Sequence, residues 1–183
     1  MHRAQGSRIA THGPLPRVLE GHTSDISCVR FSPTGGQLAT ASADCTVRLW
    51  DTRTATLRWI LKGHTDWVWC AVFSTDGTLL ASASDDETVR LWSTHTGKLL
   101  HILVGHEDRV FSVSFSADGR RLASMSEYEP VLLWCVETGT RQRIFGGKEG
   151  PHYSVTGVYE QQVVIYNRHI RSLTFSSDAR RLA

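Results

Sequence analysis

Three stretches of the chain alternate apolar and polar positions with a period of two: ISCVRF at 26–31, VWCAVF at 68–73 and VFSVSF at 110–115. Their β-branched and aromatic residues predict half-buried strands. Each run ends in Phe and is followed by a turn, SPTGG, STDG or SADG, in which Gly supplies a positive φ and Asp or Pro favours reversal. A second strand follows (QLATA, LLASA, RLASM), then a tight turn and a third (TVRLW, TVRLW, PVLLW), and a fourth, LRWIL or LLHIL, precedes the next unit. No segment carries the 3.6-residue apolar period of a helix, so each unit reads as four short antiparallel strands.

The units are copies of one another. Gly21-His22, Gly63-His64 and Gly105-His106 recur every 42 residues, as do Phe31, Phe73 and Phe115, and Trp50, Trp92 and Trp134. A single four-stranded sheet cannot bury both of its faces, so successive copies must stack on one another, and a radial stack is the all-β solution.

A Gly-His opening and a Trp-Asp closing, the latter Trp50-Asp51 with Ser93 and Cys135 in the Asp position later, resemble the WD-repeat (WD40) family. The resemblance covers 17–145. It implies a β-propeller, commonly seven-bladed, that binds other proteins and has no catalytic activity of its own. For this chain the expected fold is all-β: a partial propeller of about three and a half blades, with the ring not closed by this chain alone. The expected organisation is a disordered tail at 1–16, repeats near 19–60, 61–102 and 103–145, an insertion at 146–164 and a truncated repeat at 165–183. Register returns after the insertion only at IRSLTFSSDARRLA, 18 residues late. The insertion alternates apolar and aromatic residues, and both a hairpin and a disordered loop fit it. PRVLEGH parallels LRWILKGH, so 17–19 reads as an orphan outer strand. Open sheet edges and an exposed apolar blade face are expected in such an arc, and they invite self-association or a second chain that completes the ring.

The resemblance also implies a structural tetrad in which the loop His joins a Ser or Thr of the second strand to an Asp of the next turn, with Trp alongside. Its members are His22, Thr40, Asp44 and Trp50, then His64, Ser82, Asp86 and Trp92. In the third copy His106, Ser124 and Trp134 remain, but Tyr128 stands at the Asp position and Pro130 replaces the Thr, so a different turn and a less firmly anchored His106 are expected. The competing reading is a Ser-His-Asp hydrolase. It fails on repetition, because catalysis needs one activated nucleophile with its own oxyanion hole, and on the missing G-x-S-x-G elbow.

Family contact positions flank the first apolar residue of the inner strand and precede the tetrad Asp. Carried over, they are Asp25, Ser27 and Ala43, then Trp67, Trp69 and Asp85, then Arg109, Phe111 and Glu127, with Ile26, Val68 and Val110 directed into the core. Trp67 and Trp69 stand at i and i+2 and share a strand face. Two aromatics rimmed by charge have the composition of a binding hot spot, and covering a blade junction is the alternative. Asp44, Trp50, Asp51 and Arg53 also match the short box by which some WD-repeat proteins dock onto the adaptor of cullin-RING ubiquitin ligases, although only Arg53 adds to the family residues. A repeat segment of a larger signalling ATPase is a further alternative.

Charge changes this picture little. Twenty Lys and Arg against 18 Asp and Glu give a net +2 without a run of like charge, which argues against nucleic acid as a partner. Arg120-Arg121 and Arg180-Arg181 recur at equivalent turn-to-strand positions and read as a solvated face. Cys28, Cys45, Cys70 and Cys135 show neither C-x-x-C spacing nor a disulfide framework, and read as reduced thiols. GGKEG at 146–150 lacks the phosphate-cradling arrangement, and the remaining histidines lack ligand spacing, so neither cofactor nor metal is expected. Neither a secretory signal nor a spanning helix is expected, and the basic opening MHRAQGSRIATHGPLP reads as a disordered tail with a transit peptide as the alternative. The expected location is intracellular, cytoplasmic or nuclear, and the expected partner is a protein or peptide, with no membrane.

Overall fold

The computed structural model describes residues 17–127 and 129–145, together with the backbone of 158–159 and 162–163. It is built from three four-stranded antiparallel sheets, and the described residues contain no helix. The first sheet comprises β1 (Ile26–Phe31), β2 (Gln37–Ser42), β3 (Thr46–Asp51) and β4 (Thr56–Lys62). The second comprises β5 (Val68–Phe73), β6 (Leu79–Ser84), β7 (Thr88–Ser93) and β8 (Leu99–Val104). The third comprises β9 (Val110–Phe115), β10 (Arg121–Ser126), β11 (Val131–Cys135) and β12 (Arg141–Phe145). Within each sheet the strands are hydrogen-bonded in chain order. Two further two-residue strands, β13 (Val158–Tyr159) and β14 (Gln162–Val163), pair antiparallel inside the 146–164 insertion. The 1–16 tail, the rest of the insertion and the 165–183 repeat lie outside the described residues.

The turn chemistry that the sequence suggested is the turn chemistry that forms. Asp76 accepts hydrogen bonds from the Ser74 hydroxyl (2.6 Å) and the Thr78 amide (3.0 Å), while Gly77 takes a φ of 74°. Asp118 holds Ser116 and the Arg120 amide in the same way, with Gly119 at 68°. These bonds hold both carboxyls below the usual carboxylate range.

Each face that lies between two sheets is apolar and closed. Ala39, Ala41, Val47, Leu49 and Leu61 of the first sheet pack against Val68, Ala71 and Phe73 of the second. One step on, Ala81, Ala83, Val89, Leu91 and Leu103 pack against Val110, Val113 and Phe115. Small residues on the second strand let the neighbouring backbone approach, and branched residues on the third fill the remaining space. Glycine serves the same contact at the outer rim: a Cβ on Gly97 would lie 2.8 Å from the Trp59 ring, and one on Gly139 would lie 2.7 Å from His101.

Ile26 departs from the expectation that it would point into a core. It is 50% exposed, and Val29 and Phe31 beside it are 47% and 66% exposed, whereas Val68 and Val110 are fully buried. The residue type is right for a core; among the described residues, no sheet stands against this face of the first one. No helix of the described residues is long and apolar enough to cross a membrane, and no group of three or more potential ligands is gathered among them for a metal ion.

Candidate partner-binding face

The inner strands share a defect in register. Ser27 is left unpaired between Ile26 and Cys28, Trp69 between Val68 and Cys70, and the ladder of β9 shifts in the same way between Val110 and Ser112, at Phe111. Each is a β-bulge, in which two residues oppose one and the extra side chain is re-aimed. A backbone bond closes the end of the sheet behind the first two bulges: the Ala43 amide donates to Asp25 O (2.9 Å) and the Asp85 amide to Trp67 O (2.9 Å).

In the second sheet the re-aimed residue is Trp69. Its indole nitrogen donates to Asp85 Oδ1 at 2.5 Å, and its ring lies 5.7 Å from that of Trp67 at a tilt of 50°. Trp67 is 48% exposed, an unusual position for the most costly apolar side chain to leave in water. The Asp66 carboxylate accepts the Trp67 amide at 2.7 Å and fixes the entry to the strand. On the third sheet Arg109 pairs with Glu127 at 3.0 Å, both half in water. Ser27 is engaged differently, since its hydroxyl donates across the sheet junction to the Val68 carbonyl. Ser27, Trp69 and Phe111 line one groove of about 490 Å³ that runs along the inner strands and also takes in Cys28 and Cys70. Thus Trp67, Trp69 and Asp85 form one cluster and Arg109 with Glu127 a second, while Asp25 stands exposed at the first sheet.

The repeated His, Ser/Thr, Asp and Trp sets lie behind this surface. His64 Nδ1 lies 2.8 Å from Asp86 Oδ2 and its Nε2 2.8 Å from Ser82 Oγ, which also accepts the Trp92 indole N–H at 2.9 Å. Thr88 donates to Asp86 Oδ1 at 2.6 Å, and the Thr65 amide donates to Oδ2. In the first sheet the corresponding distances are 2.7 Å for both His22 contacts, to Asp44 and Thr40, and 2.9 Å from Trp50 to Thr40. Burial opposes ionisation of Asp44, but hydrogen bonds from Thr46 and His22 outweigh it and hold its carboxyl at about 2. Asp86 is lowered further for the same reasons. Burial lowers His64 and His106, against the opposing pull of their carboxylate partners.

His106 is as firmly anchored as the other two, contrary to the sequence expectation. Glu129, one residue beyond the tetrad position, places Oε2 at 2.8 Å from His106 Nδ1 and Oε1 at 2.9 Å from the Glu107 amide. One extra methylene compensates for the one-residue displacement. Ser124 completes the set, at 2.7 Å from His106 and 2.8 Å from Trp134 Nε1. Ser82 and Ser124 are fully buried and Thr40 nearly so, each hydroxyl shared between His and Trp. No acyl carbon could reach any of them, which removes the geometric basis for a hydrolase at these sites.

Of the box residues, Asp44 and Trp50 belong to this bracing. Asp51 accepts the Arg53 and Thr54 amides at 3.0 Å each and so shapes its own turn. Arg53 is exposed, with its side chain left on the surface beside this turn.

Comparison with known proteins places these features among relatives. The family model "WD domain, G-beta repeat" matches residues 13–51, 55–93 and 97–126, more than half of the chain. The chain is similar to the Notchless protein homolog of Arabidopsis thaliana, with 47% identity over 49 residues, which is 27% of this chain and 10% of that protein. It is also similar to the WD repeat-containing protein AAC3 of Dictyostelium discoideum, with 51% identity over 41 residues, or 22% of this chain and 9% of that one. Among solved structures, that of U3-55K superimposes with a TM-score of 0.71 at 23% identity, covering 86% of this chain and 45% of the other. The RRP9 WD40 repeats give 0.71 at 24%, covering 86% and 44%. At that identity the likeness shows the fold alone. The matches span about a tenth of the curated relatives' length and under half of the solved chains.

Proposed function

Because the chain belongs to the WD40 family of G-beta repeats, whose propellers typically serve as protein-interaction scaffolds and are generally non-catalytic, we propose that it is a binding module whose contact surface centres on Trp67 and Trp69. One observation carries this reading: an exposed tryptophan packed at a tilt against a second one that a bulge turns toward the groove, with Asp85 fixing the second ring. Rigid aromatic side chains bury large area at low entropic cost, which is why they dominate binding hot spots. Asp66 and Asp85 adjoin the aromatic pair, Asp25 stands exposed on the first sheet, and Asp108 and Glu127 flank Arg109 on the third. An extended peptide with an apolar side chain flanked by Lys or Arg matches that rim.

Selecting peptides from a random displayed library tests the reading. The wild-type chain should enrich a basic and apolar consensus that the Trp67→Ala/Trp69→Ala variant does not enrich. Equal enrichment by both chains would overturn it.

A second mode of association, with a second chain or another copy of this one, is favoured by the uncovered Ile26, Val29 and Phe31 face. In the other two sheets the equivalent face is packed against the small-residue face of a neighbouring sheet. Docking to a ubiquitin-ligase adaptor would rest on Arg53 alone. Loss of adaptor binding on Arg53→Ala would support it, and no adaptor binding by the wild type would remove it.

A further inference from the structure

Cys28 and Cys70 occupy the same place in consecutive repeats, the residue after the bulge, on the neighbouring inner strands β1 and β5. Both line the groove, both are half buried, and the Cys28 sulfur lies 3.7 Å from the carbonyl oxygen of Ala71, the residue bonded to Cys70. Each thiol shifts the ionisation of the other, Cys28 downward and Cys70 upward. In the third repeat the position holds Ser112. Cys45 and Cys135 lie elsewhere, in the β2–β3 turn and at the end of β11, away from the groove lining.

We propose that Cys28 and Cys70 are a thiol-pair modification site, in which a hydroperoxide oxidises them to a disulfide that staples the first two sheets together. The chemistry balances with that one oxidant. The Cys28 thiolate attacks the outer oxygen of the peroxide, the O–O bond breaks, and the sulfur becomes a sulfenic acid as the hydroxide or alkoxide leaves with a proton. The Cys70 thiol then attacks the sulfenic sulfur, the S–O bond breaks, and water departs with the Cys70 proton. Two thiols lose two electrons and two protons; the peroxide gains both, and two waters result when it is hydrogen peroxide.

The environment divides the two roles. The Cys70 thiol lowers Cys28 to about 6, against the opposing effect of burial, with Ala71 and the positive charge of Arg30 assisting. Cys70 is pushed well up by Cys28 and by burial. Cys28 is therefore the nucleophile and Cys70 the resolving thiol. The open groove gives a small oxidant access to Cys28. Trp69 adjoins Cys70, so the staple would also tether the strand that carries the aromatic pair.

The test uses the full reduced chain, treated with equimolar hydrogen peroxide, quenched with an alkylating agent, and mapped by mass spectrometry. The expected product is a Cys28–Cys70 linked peptide with two hydrogens lost, reversed by dithiothreitol. Cys45 and Cys135 should stay alkylated, and the oxidised chain should run faster in a non-reducing gel. In Cys70→Ser the link should vanish and a sulfenic acid at Cys28 should be trapped by dimedone. In Cys28→Ser, Cys70 should stay reduced. Ser112 shows that serine fits this position, and circular dichroism checks the fold of each variant. Alkylation of both Cys28 and Cys70 after oxidation, or links to Cys45 or Cys135 at equal abundance, would overturn the proposal.

Discussion

Glu129 stands in the third sheet where aspartate stands in the first two, its carboxylate 2.8 Å from His106 Nδ1, as Asp86 is from His64. The replacement comes from the next position in the chain and from a longer side chain, so the network is conserved in geometry and not in spacing. Glu129→Ala should therefore destabilise the fold by about 1–3 kcal/mol, because it removes the carboxylate that the buried His106 Nδ1 and the Glu107 amide share. Asp86→Ala should cost a similar amount. Denaturant unfolding of both variants checks this, and a change at Glu129 below about 0.5 kcal/mol would mean that the contact contributes nothing.

The Ser82 hydroxyl should matter for stability and not for chemistry. Ser82→Ala removes the group that joins His64 to Trp92, and a loss of about 1–3 kcal/mol is expected. Any activity of the purified chain toward activated esters should be the same before and after the change.

Acid should weaken the fold in two stages. His64 and His106 have folded values below the ordinary imidazole value, so the unfolded chain binds protons first. Stability is fully present above the unfolded value and falls as pH drops through it toward the lower folded values. Asp44, held at about 2, and Asp86, held lower, add a second loss that begins near the ordinary carboxylate value and continues as pH falls through their folded values. Melting temperature measured from pH 8 down to pH 3 should decline in both intervals. A flat profile between pH 7 and pH 5 would contradict the histidine contribution.

Phe31 and Phe115 hold the same repeat position at 66% and 7% exposure. Phe115→Ala should cost about 3 kcal/mol or more, as for a packed aromatic. Phe31→Ala should change unfolding of the isolated chain by about 0.5 kcal/mol or less. If the uncovered face mediates association, Phe31→Ala should also lower the sedimenting mass at a fixed protein concentration.

Strand number, strand order and turn positions could be read from the alternation in ISCVRF, VWCAVF and VFSVSF and from the 42-residue step, because both are consequences of local backbone geometry. The exposure of Ile26 could not, since its own sequence is that of a core residue and its environment depends on what stands against it. Glu129 was hidden for another reason: position-by-position comparison assigns the tetrad role to residue 128, whereas reach along a side chain decides which carboxylate arrives. The bulge at Trp69 could not be seen either. Strict alternation already places Trp67 and Trp69 on one face, and the extra residue changes the ladder without changing the pattern. The placement of Cys28 and Cys70 along one groove follows from stacking two repeats, and no spacing rule within one repeat reports it.

The most direct measurement is a calorimetric titration of a peptide enriched by the wild-type chain, made on the wild type and on Trp67→Ala/Trp69→Ala, with thermal melts of both. Binding should weaken at least about thirtyfold, which corresponds to about 2 kcal/mol at a hot spot, while the melting temperature moves by no more than about 2 °C. Unchanged affinity in a folded variant, or a loss of binding accompanied by collapse of the melt, would contradict a contact surface centred on the two tryptophans.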